Sequence, residues 1–287
     1  MASNESYSYW SEYTKVFNHV AQQNESRLKQ AVWNETVNSE YTFHNYLGTI
    51  DSTTVSGRAQ STTENTIAHT RRRLGVSEYV ITRYYDRIEA LKMIADPCDP
   101  YIEAQVRQMN RDIDDVIIAA ATGTAYTGKS GGTSTSYDSN MTITTSGGLT
   151  LAKIKSAKNL LDEAEVDDMD RYLVISSDQE LELIDNSTIA SIDYMNSKSI
   201  PDGKLPNILG FNIIRSERLG TSGGRRQCLY FHKNGLLFGE GKDHLGPTTI
   251  RSFREDLNHT AQVQTYYHIG AARVAENHVG VILCTES

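Results

Sequence analysis

Residues Gly123 to Ser130, Gly-Thr-Ala-Tyr-Thr-Gly-Lys-Ser, satisfy the pattern G-x-x-x-x-G-K-[ST]. In nucleotide hydrolases such a loop cradles phosphates with backbone amides while its lysine reaches the terminal phosphate. The chemistry needs a strand before the loop and a helix after it, so that free amides of the helix N-terminus point at the anion. Neither flank complies. Val116–Ala121 continues a helical repeat begun at Ile102, and Gly131–Gly148 holds no helix-forming run. A P-loop NTPase is kept as the alternative of a different class, resting on this motif alone. No histidine pair has HExxH spacing, and His259, His268 and His278 read as surface or core residues of a strand-rich tail. The acidic groups Asp112, Asp114, Asp115 and Asp167, Asp168, Asp170 offer oxygen ligands but miss the calcium-loop pattern, and they read as solvated faces. There is no G-x-S-x-G elbow. Cys98, Cys228 and Cys284 are far apart with no CxxC, which suits a reducing compartment and gives neither a disulfide framework nor a zinc site. The residues point to no catalytic centre, no metal and no cofactor.

The chain as a whole is acidic, with 36 Asp and Glu against 28 Lys and Arg and a net charge of −8. Proteins that hold nucleic acid through phosphate contacts are usually basic, so nucleic acid is not expected as a tightly held ligand, while enclosure is compatible with the charge. Its 287 residues suffice for one large domain or two ordinary ones. A mean hydropathy of −0.47 is polar for that length. It fits either a loop-rich α/β protein or a chain partly lying outside its own core and ordered by neighbours. The first residues, MASNESYSYWSEY, lack the basic and apolar regions of a signal peptide, and no run of 18 apolar residues is present, so no membrane contact is expected.

The elements are organised around one helix. Asp99 is a candidate N-cap, Pro100 follows at the first helical position, and Gly123 stands where a C′ glycine would end the helix. Ile102, Val106, Met109, Ile113, Val116 and Ala120 form its apolar stripe, along a rod of roughly 35 Å. Before it, residues 7–38 carry thin helical periodicity through Tyr13, Phe17, Val20, Leu28, Val32 and Trp33. Residues 41–88 then read as a long two-stranded hairpin, with Tyr41–Ile50 and Ser77–Tyr85 bracketing a polar centre. Such a hairpin is marginal alone and needs something to lie on. Arg58 and the run Arg71, Arg72, Arg73 fall within it, either as solvated charge or as salt bridges to an acidic neighbour. Ile88–Ala95 leads into the helix. After the helix, residues 124–148 are irregular. Thr150 caps a helix over Leu151–Glu165, Arg171–Ile175 is a buried strand, and Ser177–Glu180 fits a capping box. A loop with Pro201, Gly203 and Pro206 leads to strands at Phe211–Ile214, Cys228–Phe231, Leu236–Phe238, Ala261–Ile269 and Val279–Cys284.

That order of parts resembles the major capsid protein of tailed bacteriophages. Within it, Gln22–Val32, the helix with Asp114-Asp115-Val-Ile-Ile, Gly148–Ile154, Leu209–Leu219 and Gly270–Glu276 are similar to the podovirus-type branch. The resemblance implies an α+β, Hong Kong-type capsid fold. Its parts would be an N-terminal arm (1–40), an E-loop (41–88), a P-domain with the spine helix (89–148), an A-domain (149–240), and returning P-domain strands with a last A-domain strand (241–287). It implies a non-enzymatic shell protein that self-assembles as hexamers and pentamers around double-stranded DNA without sequence-specific binding. Scaffolding and portal proteins would be its partners, with assembly in the bacterial cytoplasm and residence in the virion. Arg58, Arg71, Arg72 and Arg73 would then make inter-subunit contacts. A nanocompartment shell of the same fold is the nearer alternative. Some relatives weld their shells through an E-loop lysine. Residues 41–91 contain none, so a shell without such cross-links is expected.

Overall fold

The computed structural model describes residues 23–58, 61, 64–85, 98–185, 207–242, 246–257 and 260–285. The expected lead-in at Ile88–Ala95, the loop with Pro201, Gly203 and Pro206, and His259 lie outside them, as does the part of the expected arm before residue 23.

The central helix, α1, runs Cys98–Thr122. It starts one residue before the expected cap, so Pro100 falls inside the first turn, where its missing N–H is not needed. Its buried line is Gln105, Ile113, Ile117 and Ala121, while Val106 of the expected stripe is exposed. At its end Gly123 has no left-handed φ. A Cβ there would stand 2.7 Å from the carbonyl oxygen of Ala119, so close packing, and not a left-handed turn, selects glycine.

Three sheets surround this helix. In the first, β15 (Thr260–Arg273) is the central strand. It pairs antiparallel with β4 (Ser77–Tyr85) along one edge, and with β14 (Thr248–Arg254) and β13 (Leu236–Gly241) along the other. Parallel pairing of β1 (Trp33–Val37) with β13 completes it. Alternation on β15 turns Val263, Thr265, Tyr267 and Ile269 inward. Gln105 of α1 meets them polar to polar, donating to the Val263 carbonyl at 3.1 Å and accepting from the Thr265 hydroxyl at 2.7 Å.

The second sheet has the order β7-β16-β12-β8-β10-β9, with β11 (Thr221–Ser222) on β12. Its members are β7 (Thr142–Ile143), β8 (Arg171–Ile175), β9 (Asn207–Ile208), β10 (Phe211–Arg215), β12 (Arg225–His232) and β16 (Val279–Thr285). Both faces are covered. Cys228, Tyr230, Ile282 and Cys284 pack on α2 (Leu151–Glu163) and α3 (Ser177–Ile184), while Leu229, Phe231, Val279 and Val281 pack on α1 and the first sheet. The same strands thus supply two cores, which locks the two halves of the molecule together. Thr150 caps α2 as expected, accepting from the Lys153 amide. The capping box of α3 sits one residue earlier than read: Ser176 is the N-cap, and its amide donates to the Gln179 side chain at 3.2 Å.

The third sheet differs from expectation. β2 (Tyr41–Leu47) pairs with β3 (His69–Gly75), and not with Ser77–Tyr85, which is β4 of the first sheet. The physical reason is register. Arg72 and Leu74 of β3 both turn inward, so the polar run His69–Gly75 has a buried face that its composition conceals. Two short strands, β5 (Ala125–Thr127) and β6 (Thr133–Thr135), continue this sheet, so residues 124–148 are less irregular than read. Helical periodicity at residues 23–38 also gives way, to one 3-10 turn at Lys29–Ala31 followed by β1.

Candidate assembly surface

Of the four arginines singled out in the sequence, Arg71, Arg72 and Arg73 lie on β3 with alternating fates. Arg72 is buried. Its Nε donates to the Val274 carbonyl at 2.8 Å and its Nη2 to Glu276 at 2.5 Å. Glu276 also accepts from Nε of the fully buried Arg273 at 2.5 Å. Nη1 of Arg273 reaches the Ala121 and Gly123 carbonyls at 2.9 and 2.8 Å. Those carbonyls end α1, where the helix leaves acceptors unpaired and its dipole favours a cation. One glutamate thereby ties the hairpin, the helix terminus and the chain between β15 and β16 into a single unit.

Arg71 and Arg73 stay near the surface. Arg71 donates to Asn45 at 2.8 Å and to the Lys129 carbonyl at 3.3 Å, lying over Phe43. Arg73 is held between the rings of Tyr41 and Tyr126, 4.7 and 4.5 Å from their centroids, where the ring faces attract a cation. Arg58 is exposed in the connection from β2 to β3. The base of that connection is closed by the Gly48 amide on the Ala68 carbonyl at 2.8 Å, and farther along Asn65 donates to the Asp51 carbonyl at 2.5 Å. Leu47, Ile50 and Val55 are 62, 55 and 64% exposed along it. All three fall within nine residues of the chain, from 47 to 55.

The phosphate-loop motif has no such geometry. Gly123–Ser130 passes through β5 into the turn of a β-hairpin, with Gly128 at a φ of +93° and β6 where a helix would be required. Of the two acidic groups, Asp167, Asp168 and Asp170 are exposed as expected, whereas Asp112, Asp114 and Asp115 are engaged by other side chains. Asp114 is fully buried and collects four donors from residues 23–28: Gln23 Nε2, Ser26 Oγ at 2.6 Å, and the amides of Arg27 and Leu28 at 3.2 and 3.1 Å. Asp115 takes a two-pronged contact from Arg218, and Asp112 accepts from the Tyr267 phenol, whose pKa is pushed up by burial and by that carboxylate. Asp168 and Asp162 flank the buried Arg171. Among the described residues no group of His, Cys, Asp or Glu is arranged to hold a metal, and no helix is long and apolar enough to cross a membrane. Cys228 and Cys284 are free and buried. His268 is half-buried on β15; His278 packs edge-on against His232, with ring centroids 5.8 Å apart.

The geometry is thus two halves joined through shared strands, a hairpin with exposed apolar side chains, and a central helix held at Asp114 and at its C-terminal carbonyls. A model of the phage capsid protein family matches residues 6–286. The chain belongs to that family. The fold is also that of solved phage capsids. The Mycobacterium phage Che8 structure aligns with a TM-score of 0.72 at 18% identity, covering 95% of this chain and 96% of that one. The capsid of Ralstonia phage GP4 aligns with a TM-score of 0.75 at 10% identity, covering 97% and 95%. That of cyanophage P-SCSP1u gives 0.71 at 14%, covering 97% and 94%. No curated protein matches. As a phage capsid protein the chain is a structural component of a virion, built from multiple copies of itself. The residues that brace this capsid protein, Asp114, Arg273 and Glu276, were missed as individuals. Yet all three lie in stretches that carried the resemblance, and Arg273 and Glu276 stand at the i, i+3 spacing of an ion pair.

Proposed function

We propose that the chain is the major shell subunit of a tailed-phage head, closing as hexamers and pentamers into an icosahedral shell around double-stranded DNA. The observation that carries this is the uncovered apolar projection Leu47, Ile50, Val55 on a chain of the capsid family. Among the described residues of one copy nothing covers it. On a neighbour it makes a heterologous contact, and such contacts close into rings. The net charge of −8 supports holding DNA by confinement and not by tight binding. We assign the first sheet and α1 to the P-domain, the second sheet with α2 and α3 to the A-domain, and β2–β3 to the E-loop, with Arg58, Arg71 and Arg73 on inter-subunit contacts. Scaffolding and portal proteins are the further partners, and assembly takes place in the host cytoplasm. With no lysine in residues 41–91 the shell matures without lysine cross-links from that loop. Electron microscopy of the expressed protein tests the reading. Closed shells are expected, whereas only monomers under every assembly condition would refute it. Particles from infected cells should contain DNA and give no covalent ladder on a denaturing gel.

A further inference from the structure

A cleft of about 520 Å³ opens between β2–β3 and the β5–β6 turn. Asn45, His69, Arg71, Thr127 and Lys129 line it, and none of the described residues in its wall is acidic. In an acidic chain this is an island of donors. The Arg71 fork has five N–H groups, of which the Asn45 and Lys129 carbonyl bonds use two. Those bonds and the Phe43 ring fix the guanidinium in place, so the remaining donors are pre-oriented. The Lys129 ammonium is exposed and makes no hydrogen bond or ion pair to the described residues. The motif that imitated a phosphate loop has thus placed its lysine beside an arginine at a concave surface.

We infer that this cleft receives a carboxylate side chain from a second copy of the chain, an inference that rests on the self-assembly reading above. Register argues for a protein occupant. Leu47 pairs with His69 and Asn45 with Arg71, so the cleft adjoins Leu47, one of the exposed apolar side chains of the hairpin. Whatever covers Leu47 also passes over Arg71, and a phosphate backbone has no means of burying a leucine. Charge complementarity names the copy. The C-terminal end of α2 and the chain that follows it, residues 162–170, carry six carboxylates in nine residues, all of them exposed. Asp162 and Asp168 already serve Arg171, leaving Glu163, Glu165, Asp167 and Asp170 facing solvent. A planar carboxylate fits the arginine fork in two-pronged fashion, and the lysine adds a point charge beside it.

The test uses the full-length chain assembled from an equal mixture of ¹⁴N- and ¹⁵N-labelled protein, treated with a carbodiimide that joins an amine to a touching carboxylate. Mass spectrometry should find Lys129 joined to an Asp or Glu across the two labels, with the 162–170 peptide foremost. In parallel, Lys129→Glu should lower particle yield about tenfold by setting like charges against each other, and Lys129→Arg should restore it. Circular dichroism confirms that each variant is folded. Lys129 joined only within one copy, or Lys129→Glu shells of normal yield and salt tolerance, would overturn the inference while leaving the assembly reading intact. A defect confined to DNA-filled heads would also overturn it, by giving the cleft to phosphate. A wild-type chain that forms no particles removes both.

Discussion

Replacing Asp114 by asparagine is the sharpest probe of how the segment before β1 is held. Each carboxylate oxygen takes two donors: Oδ1 from Ser26 and the Leu28 amide, Oδ2 from Gln23 and the Arg27 amide. Asparagine keeps one oxygen and turns an NH₂ group toward the other pair, so two bonds are lost and two donors face a donor. Hydrogen bonds to a charged group contribute about 1.5–3 kcal/mol each. Part of the loss is recovered where the partly exposed Gln23 and Arg27 rehydrate. A net loss of about 3 kcal/mol remains, which for a chain of this size lowers Tm by roughly 6 °C. The loss should be local as well as global. Leu28, fully buried in the core beside Ile113 and Ile117, anchors the same segment, so its release should speed limited proteolysis near residues 23–32 before any other site is cut. Calorimetry with timed proteolysis measures both. An Asp114→Asn protein that melts within about a degree of wild type and is cut no faster in that segment would refute the reasoning.

Glu276→Gln removes the charge shared by two buried arginines, whose Arg72 Nη1 and Arg273 Nη2 already lack partners among the described residues. Because Glu276 keeps an edge in water, the expected cost is at the low end for a broken buried pair, about 2–3 kcal/mol by denaturant titration. Gly270→Ala would drive a Cβ into the Gly75 carbonyl oxygen, where β15 passes the end of β3. An overpacking cost of about 1–3 kcal/mol, with faster hydrogen exchange in β3, is expected. Burial holds both His232 and His278 below the ordinary histidine pKa, the neighbouring imidazole adding to the effect on His278, while Asp167 and Asp170 oppose it and Arg171 reinforces it at His232. Groups kept neutral by folding bind fewer protons than in the unfolded chain. The stability they contribute is therefore fully present above pH 6.5 and is lost as pH falls from there through the folded values. Melting curves from pH 7.5 to 5 should show that decline, and His232→Gln with His278→Gln should flatten it.

Local pattern made some of this architecture readable and hid the rest for identifiable reasons. Thr150 and the α2 periodicity, or the apolar run Arg171–Ile175, are decided by neighbours in sequence, and they appear where expected. The partner of β2 was not readable. His69–Gly75 looks like a basic turn until Glu276, some two hundred residues later, supplies the charge that lets Arg72 go inside. Asp114 looked solvated for the same reason, since its donors lie 86 to 91 positions away. The helical periodicity read through Leu28 and Val32 gives no α-helix over residues 23–32, because side-chain capture by that carboxylate shapes them. Of the assembly surface, the arginines were visible as types. Their division into one internal brace and two outward cations depended on strand register, which composition does not specify.

The order in which strands enter the sheets has a consequence for biosynthesis. β1 waits for β13, made some two hundred residues later, and the long central strand β15 and the inner strand β16 are the last elements described. A ribosome-bound chain short of about residue 273 therefore has neither of the first two sheets closed, and it carries open strand edges of the kind that invite mispairing. Contacts so distant in sequence also slow folding. The sheet of β2, β3, β5 and β6 needs nothing beyond Thr135, whereas the two larger sheets stay open until β15 and β16 are made, so the interval before those strands emerge is when a folding helper would matter most.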